Sequence, residues 1–354
     1  MSIQNALAKL RARSMKFSTL QIALEHNKLP KSNRWDNLER KFDALEIPAK
    51  TRAAHVSDLE RIYRDNIDWG DKAIQIAKFD KSVSRLFAFV AAHLFVTEFK
   101  PSSPFPDPVS EQDIAGLTLQ PVLVAINKEA SPLGTTLYFY SRAYETEREV
   151  FPVDDMTDAV SLKRFAGFDE VVAYRRIIFH RIDSVFINTQ SRLIEFRADA
   201  TRLKTTDRMV EALIELKKAF RSLLERQVDA EWGQIEFPLV NFFPKIAKMY
   251  DDRSGTLVQL GHNTEAGAIN HGKMRGLRGD LKKDPSHVAS MIGFVTEKFA
   301  IQKAYSYYNK LSVVHLSIPG KSADAALLTP AVVTAIVTDC IDATQFDDMM
   351  RILR

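Results

Sequence analysis

Asp183 and the triplet Glu195-Phe196-Arg197 are the first residues in this chain whose types and spacing suggest chemistry. Asp183 ends one predicted strand and the triplet lies on the next. That layout resembles the Asp, then Glu-x-Lys, arrangement of restriction-type nucleases, in which two carboxylates hold Mg²⁺ beside a cation. Arginine stands where lysine is expected, and a permanently charged guanidinium can stabilise charge but cannot act as a base. Mg²⁺ is thus a cofactor only under this alternative, and cross-strand ion pairing on a sheet face is the plainer reading of the same residues.

A second chemistry is phosphate recognition. Arg175, Arg176 and Arg181, interleaved with Tyr174 and Phe179, offer guanidinium groups and rings to a nucleic acid, although strand alternation sends Arg175 and Arg176 to opposite faces. The glycine-rich run Gly261 to Asp284 adds Lys273, Arg275 and Arg278 in a setting where backbone amides can approach an anion. Arg11 and Arg13, in a basic arc from Lys9 to Arg34, extend the same track. His262, His271 and His287 with Asp280 and Asp284 match no zinc spacing, and neither a Walker loop nor a Gly-x-Ser-x-Gly elbow is present. Glu145, Glu147 and Glu149 read as a solvated loop.

The elements that must position these residues follow from periodicity. Residues 1–100 read as a helical domain, with stripes such as Ile3, Leu7, Leu10 and Val56, Leu59, Ile62; the stripe Ala73, Ile74, Ala77 reads as helical too. Four prolines between Pro101 and Pro108 mark a linker over residues 101–111. Residues 112–227 form an expected α+β domain. In it Val171 to Asp199 makes a hairpin turning at Asn188 to Ser191, and a helix capped at Thr206 or Asp207 presents Leu213, Leu216, Phe220 and Leu223 to the sheet. Residues 232–354 form a C-terminal mixed domain with strands near Thr256, Leu311 and Ala331 and a closing helix from Thr344. The fold class is therefore α+β: a helical N-terminal bundle followed by one or two mixed, largely antiparallel α/β domains.

Composition bounds the rest. Forty-nine Lys and Arg against 45 Asp and Glu give a net charge of +4, so distribution matters more than total. The single cysteine, Cys340, excludes an internal disulfide and suits a reducing compartment as a small buried residue. No apolar run spans a bilayer, and the N-terminus lacks a signal-peptide core, so an intracellular protein without membrane contact is expected.

Asp58 to Tyr63, Lys72 to Lys78 and Thr136 to Ser141 resemble corresponding segments of the inner-kinetochore centromere protein N family. The resemblance covers about a third of the chain and implies a death-fold-like helical domain before a mixed β domain, with a basic groove between them for nucleosomal DNA. No functional residue is carried over. The sequence expectation is a non-catalytic nucleic-acid-binding or scaffold protein, with DNA ahead of RNA, possible protein partners and no cofactor; nuclease and complex-subunit readings are the alternatives.

Overall fold

In the computed structural model, residues 2–79, 94–96, 105–131, 134–188, 190–228, 236–265, 267–275, 279–291 and 296–354 are described. Four helices come first: α1 (Ile3–Ala12), α2 (Phe17–His26), α3 (Trp35–Asp43) and α4 (Ala49–Trp69). Their apolar stripes close on one another, burying Ile3, Leu7, Leu10, Leu20, Leu24, Phe42 and Leu59 in a single cluster. This is the expected helical bundle, and it ends at Gly70.

The next seven residues overturn an expectation. Lys72–Lys78 forms a strand, β1, not a helix. Six of its seven residues are buried, so both faces are apolar-compatible and no alternation betrays it. After the short helix α5 (Glu111–Gly116) come β2 (Val122–Ser131), β3 (Gly134–Pro152), helix α6 (Ala159–Arg164), β4 (Glu170–Asn188) and β5 (Leu193–Asp199). The long helix α7 (Thr206–Gln227) follows, capped by Thr205, one residue before the expected position. Helix α8 (Phe243–Asp251) leads to β6 (Thr256–Thr264), β7 (Ile269–Lys273), α9 (Pro285–Met291), β8 (Thr296–Tyr307) and β9 (Ser312–Ile318). Helix α10 (Ser322–Ala325), β10 (Ala335–Thr338) and α11 (Ala343–Leu353) complete the chain.

The fold is α+β, and its described strands form one 10-stranded sheet in the order β2-β3-β4-β5-β1-β10-β9-β8-β6-β7. Every pairing is antiparallel. Strand β1 from the N-terminal segment joins the two halves, pairing β5 on one side and β10 on the other. The sheet therefore runs through all three expected segments and crosses the boundaries drawn at residues 100 and 227. Within the expected linker, Pro101 to Pro104 lie outside the described residues; Phe105 packs on Tyr138 with ring centroids 4.5 Å apart, and the Tyr63 hydroxyl donates to the Pro106 carbonyl at 2.6 Å.

Two layers cover the sheet. Helix α7 lays Ala212, Leu213, Leu216, Phe220 and Leu223 on Val185, Ile194, Phe196 and Ala198, as the alternation in the hairpin requires. The bundle packs Leu7 and Ile62 near Tyr138, Tyr140 and Ile182 on the opposite face, while α8 and α11 cover Ile74 and Ile76 beside it. Glu145, Glu147 and Glu149 lie in β3, not in a loop, because β3 and β4 stay paired over their whole length to Pro152 and Glu170. Beyond Tyr140 and Ser184 no third strand among the described residues pairs with this ribbon, which continues as a two-stranded arm.

Candidate functional site

The register of β5 decides the fate of the expected metal site. Arg197 lies opposite Ser184 and Ile74, so Glu195, Arg197 and Asp199 share the bundle face, while Asp183, next to Ser184, points to the α7 face. There Asp183 accepts from Arg181 Nε at 2.8 Å, and Arg181 Nη2 donates to Glu215 of α7 at 3.1 Å. Burial pushes the Asp183 carboxyl up, against the pull of Arg181 and the Asp199 amide. Glu195 is 0% exposed and takes two arginines. Arg197 Nε and Nη2 reach one of its oxygens at 3.0 and 2.6 Å, and Arg354 Nε reaches the other at 2.9 Å. The Arg197 guanidinium lies 5.5, 4.9 and 4.8 Å from the ring centres of Trp69, Phe186 and Phe346. Asp183 thus does not converge with Glu195 and Arg197, which pair with each other; Asp183 is held by Arg181, and Glu195 by Arg197 and Arg354. Among the described residues no group of three His, Cys, Asp or Glu is arranged to hold a metal ion.

Asp199, the third charge on that face, is the centre of a buried network reaching into the bundle. Arg13, at the end of α1, donates Nη1 to Asp199, which also accepts from the Thr201 hydroxyl at 2.7 Å and the Thr201 amide at 3.1 Å. Burial alone would raise the Asp199 carboxyl; Arg13 and Lys72 outweigh it and hold it well below the usual carboxylate range. Lys72 is itself fully buried, and desolvation pulls its ammonium down to about 8 in spite of Asp199.

The expected phosphate contacts therefore divide. Arg13 and Arg181 are buried and paired with Asp199 and Asp183 inside the fold, which corrects their assignment to a nucleic-acid surface. Arg11 is exposed but faces Glu39 at 3.1 Å and Asp36 at 3.5 Å, and Arg175 pairs with Glu147 on the arm. Arg176 sits 5.0 Å over the Tyr144 ring. Arg278 lies outside the described residues. Lys273 and Arg275 are exposed and have no ion pair among the described residues.

Lys273 lines a pocket of about 300 Å³ between the β6–β7 hairpin and α9, together with His262, His271, Asp284 and His287 among others. His262 is 2% exposed, and neither ring nitrogen has a hydrogen-bond partner among the described residues. Its ring centre is 6.4 Å from that of His287, whose Nε2 is 3.5 Å from the Tyr250 hydroxyl. Desolvation lowers both imidazoles; His287 and Lys298 lower His262 further, while Asp284 and Asp280 oppose the fall at His287. Lys298 and Lys282 each hold an ammonium over the Tyr250 ring, at 4.6 and 4.8 Å.

The glycines here serve packing before ligand approach. A Cβ on Gly261 would come within 2.5 Å of the Phe299 ring, and one on Gly272 within 2.9 Å of Leu281. Sequence reasoning named all three histidines, yet spacing gave no sign that His262 and His287 face one another across a strand and a helix. No protein-family model and no curated protein matches this chain.

Proposed function

We propose that this chain is a non-catalytic nucleic-acid-binding protein whose phosphate-contacting face is the β6–β7 edge and the His262 pocket. One observation carries this reading: Lys273 and Arg275, exposed and without an ion pair among the described residues, follow one another on the β6–β7 edge, and Lys273 lines a pocket shared with His262, a buried histidine whose ring nitrogens have no hydrogen-bond partner among the described residues. A phosphate group seated there would meet imidazole donors within and cations at the rim. The β3–β4 arm supports no such role, since residues 144–178 carry eight Asp and Glu against five Lys and Arg. Fluorescence anisotropy with duplex DNA, and in parallel with RNA, tests the proposal. Binding should weaken steeply from about 50 to 200 mM salt, and removing Lys273 and Arg275 should lower the log–log salt slope by about 1 per cation. Absence of binding at the lowest salt, or an unchanged slope in the double variant, would overturn it.

A second reading, a subunit of a larger protein assembly, is favoured by the arm itself. Val160, Phe168 and Tyr174 are 75%, 64% and 67% exposed near its tip, an apolar display on a ribbon that there pairs with no third strand among the described residues. On this reading, Phe168→Asp with Tyr174→Asp releases the chain from a native complex without changing its DNA affinity. Retention in that complex would remove the arm as a docking element.

A further inference from the structure

A second cavity, of about 250 Å³, lies where the end of α1 meets the strands β4 and β5 and the segment around Val109. Its polar lining includes Arg13, His180, Asp199, Thr201 and Arg202, with Tyr63 beside them; Ile114, Ile178 and Ile182 supply much of the apolar wall. Arg13 is only 9% exposed and uses one edge of its guanidinium, through Nη1, on Asp199. Nε and Nη2, which form the other edge, are buried and have no acceptor among the described residues. His180, set edge-on against Tyr140 with ring centres 4.1 Å apart, likewise has a buried Nε2 without a partner.

The free edge matters because a guanidinium presents Nε–H and Nη2–H as two parallel donors, spaced to match the two oxygens of one carboxylate. Leaving such a pair of donors unsatisfied in a buried position is unfavourable, the more so when the group is charged. Asp199 does not need this edge. Its oxygens are already served by Arg13 Nη1, the Thr201 hydroxyl and amide, and the Ile182 amide at 3.4 Å.

We propose that this cavity binds a short-chain carboxylic acid as its anion. Nε and Nη2 of Arg13 have almost no accessible surface, so binding turns this edge of the guanidinium towards the cavity; the two carboxylate oxygens then take Nε–H and Nη2–H, and the apolar body lies against Ile114, Ile178 and Ile182. The size of the cavity, below the range of about 300–1,000 Å³ usual for drug-sized ligands, limits the body to a few carbons or one ring. Carboxylate fits better than phosphate. A phosphate brings a further oxygen and additional charge, and the other cation on the wall, Arg202, already points Nη2 at Glu145 (3.3 Å) with its guanidinium 4.6 Å over Phe179. The site is separate from the β6–β7 face, so it stands or falls independently of nucleic-acid binding.

Isothermal titration of the full chain with benzoate, hexanoate and phenyl phosphate tests this. The expected result is saturable binding of a carboxylate at a stoichiometry of one. Arg13→Lys keeps a cation for Asp199 but removes the fork, and should weaken binding by about 10- to 100-fold, the loss of one hydrogen bond to a charged group. Because a change at Arg13 also strains the fold, Ile178→Trp gives a second measure: it fills the cavity from its half-exposed rim and should abolish binding in a chain with unchanged circular dichroism. No saturable binding of either carboxylate to the wild type, equal binding to the Ile178→Trp chain, or tighter binding of phenyl phosphate than of benzoate would each overturn the proposal.

Discussion

Arg13 and Asp199, 186 residues apart in the chain, meet in a buried ion pair that ties the first helix to the end of the fifth strand. Ties of still longer range run beside it, from Lys16 and Thr19 to Asp339, and together they set how the bundle sits on the sheet. Removing one member of a buried pair leaves the other charge without compensation, which typically costs about 3–5 kcal/mol. Arg13→Ala should lower the unfolding free energy by about that amount in urea titrations, and Arg13→Lys by less. If Arg13→Ala unfolds at the wild-type midpoint, the pair does not hold the bundle in place.

Glu195 leads to a similar expectation with a different signature. Glu195→Ala strands Arg197 and Arg354 together, so its cost, about 3–5 kcal/mol, should exceed that of Arg354→Ala, which leaves the Arg197 pair intact. Chemical denaturation of both variants ranks them. A nuclease role would demand instead a folded, inactive Glu195→Ala protein of nearly wild-type stability.

His180 sets a pH dependence. Burial, with Arg13 nearby, lowers its imidazole to about 3, so the native chain keeps it neutral. The unfolded chain protonates the same ring near its ordinary value of about 6.5. Between those values the unfolded state binds more protons, so the contribution is fully present above pH 6.5 and is lost as pH falls towards 3. From pH 6.5 to 5 the loss amounts to about 2 kcal/mol at one proton per molecule. His180→Gln should flatten that part of the stability profile relative to wild type. An identical slope in the variant would show that His180 is not the responsible group.

The α7 core gives a control without charge. Phe220 is fully buried against Phe196 and Phe237, with ring centres 5.9 Å away in each case, and Phe220→Ala should cost about 3–5 kcal/mol. Thermal unfolding of that variant checks the assignment of this face.

Much of this architecture can be read from residue pattern alone. The alternation of Ile194, Phe196 and Ala198 against Glu195, Arg197 and Asp199 gives the two faces of β5, and the spacing of Leu213, Leu216 and Phe220 identifies the helix that covers one of them. Strand β1 escapes because Lys72 to Lys78 is buried on both faces; Ala73, Ile74 and Ala77 then fit a helical stripe as well as a strand, and only pairing with β5 and β10 selects between them. The site is harder still. Arginine is a surface residue by habit, so Arg13 and Arg181 read as exposed cations until the fold brings Asp199 and Asp183 to them. Glu147 opposite Arg175 was within reach of the hairpin pattern, had Glu145 to Glu149 been read as strand.

The central place of β1 has a consequence for how this chain is made. Residues 72–78 leave the ribosome long before their partners, and β5 can pair with them once residue 199 has emerged; on the other edge the segment 238–240 meets Ile76 to Lys78, while Lys72 to Ile74 wait for Ala335 to Val337. Until residue 335 emerges, the growing chain carries the first half of β1 with one bare edge of amides and carbonyls, the kind of edge that recruits foreign strands. Completion of the sheet thus falls to its shortest strand, and a nascent chain released before residue 335 is a substrate for aggregation or for chaperone capture.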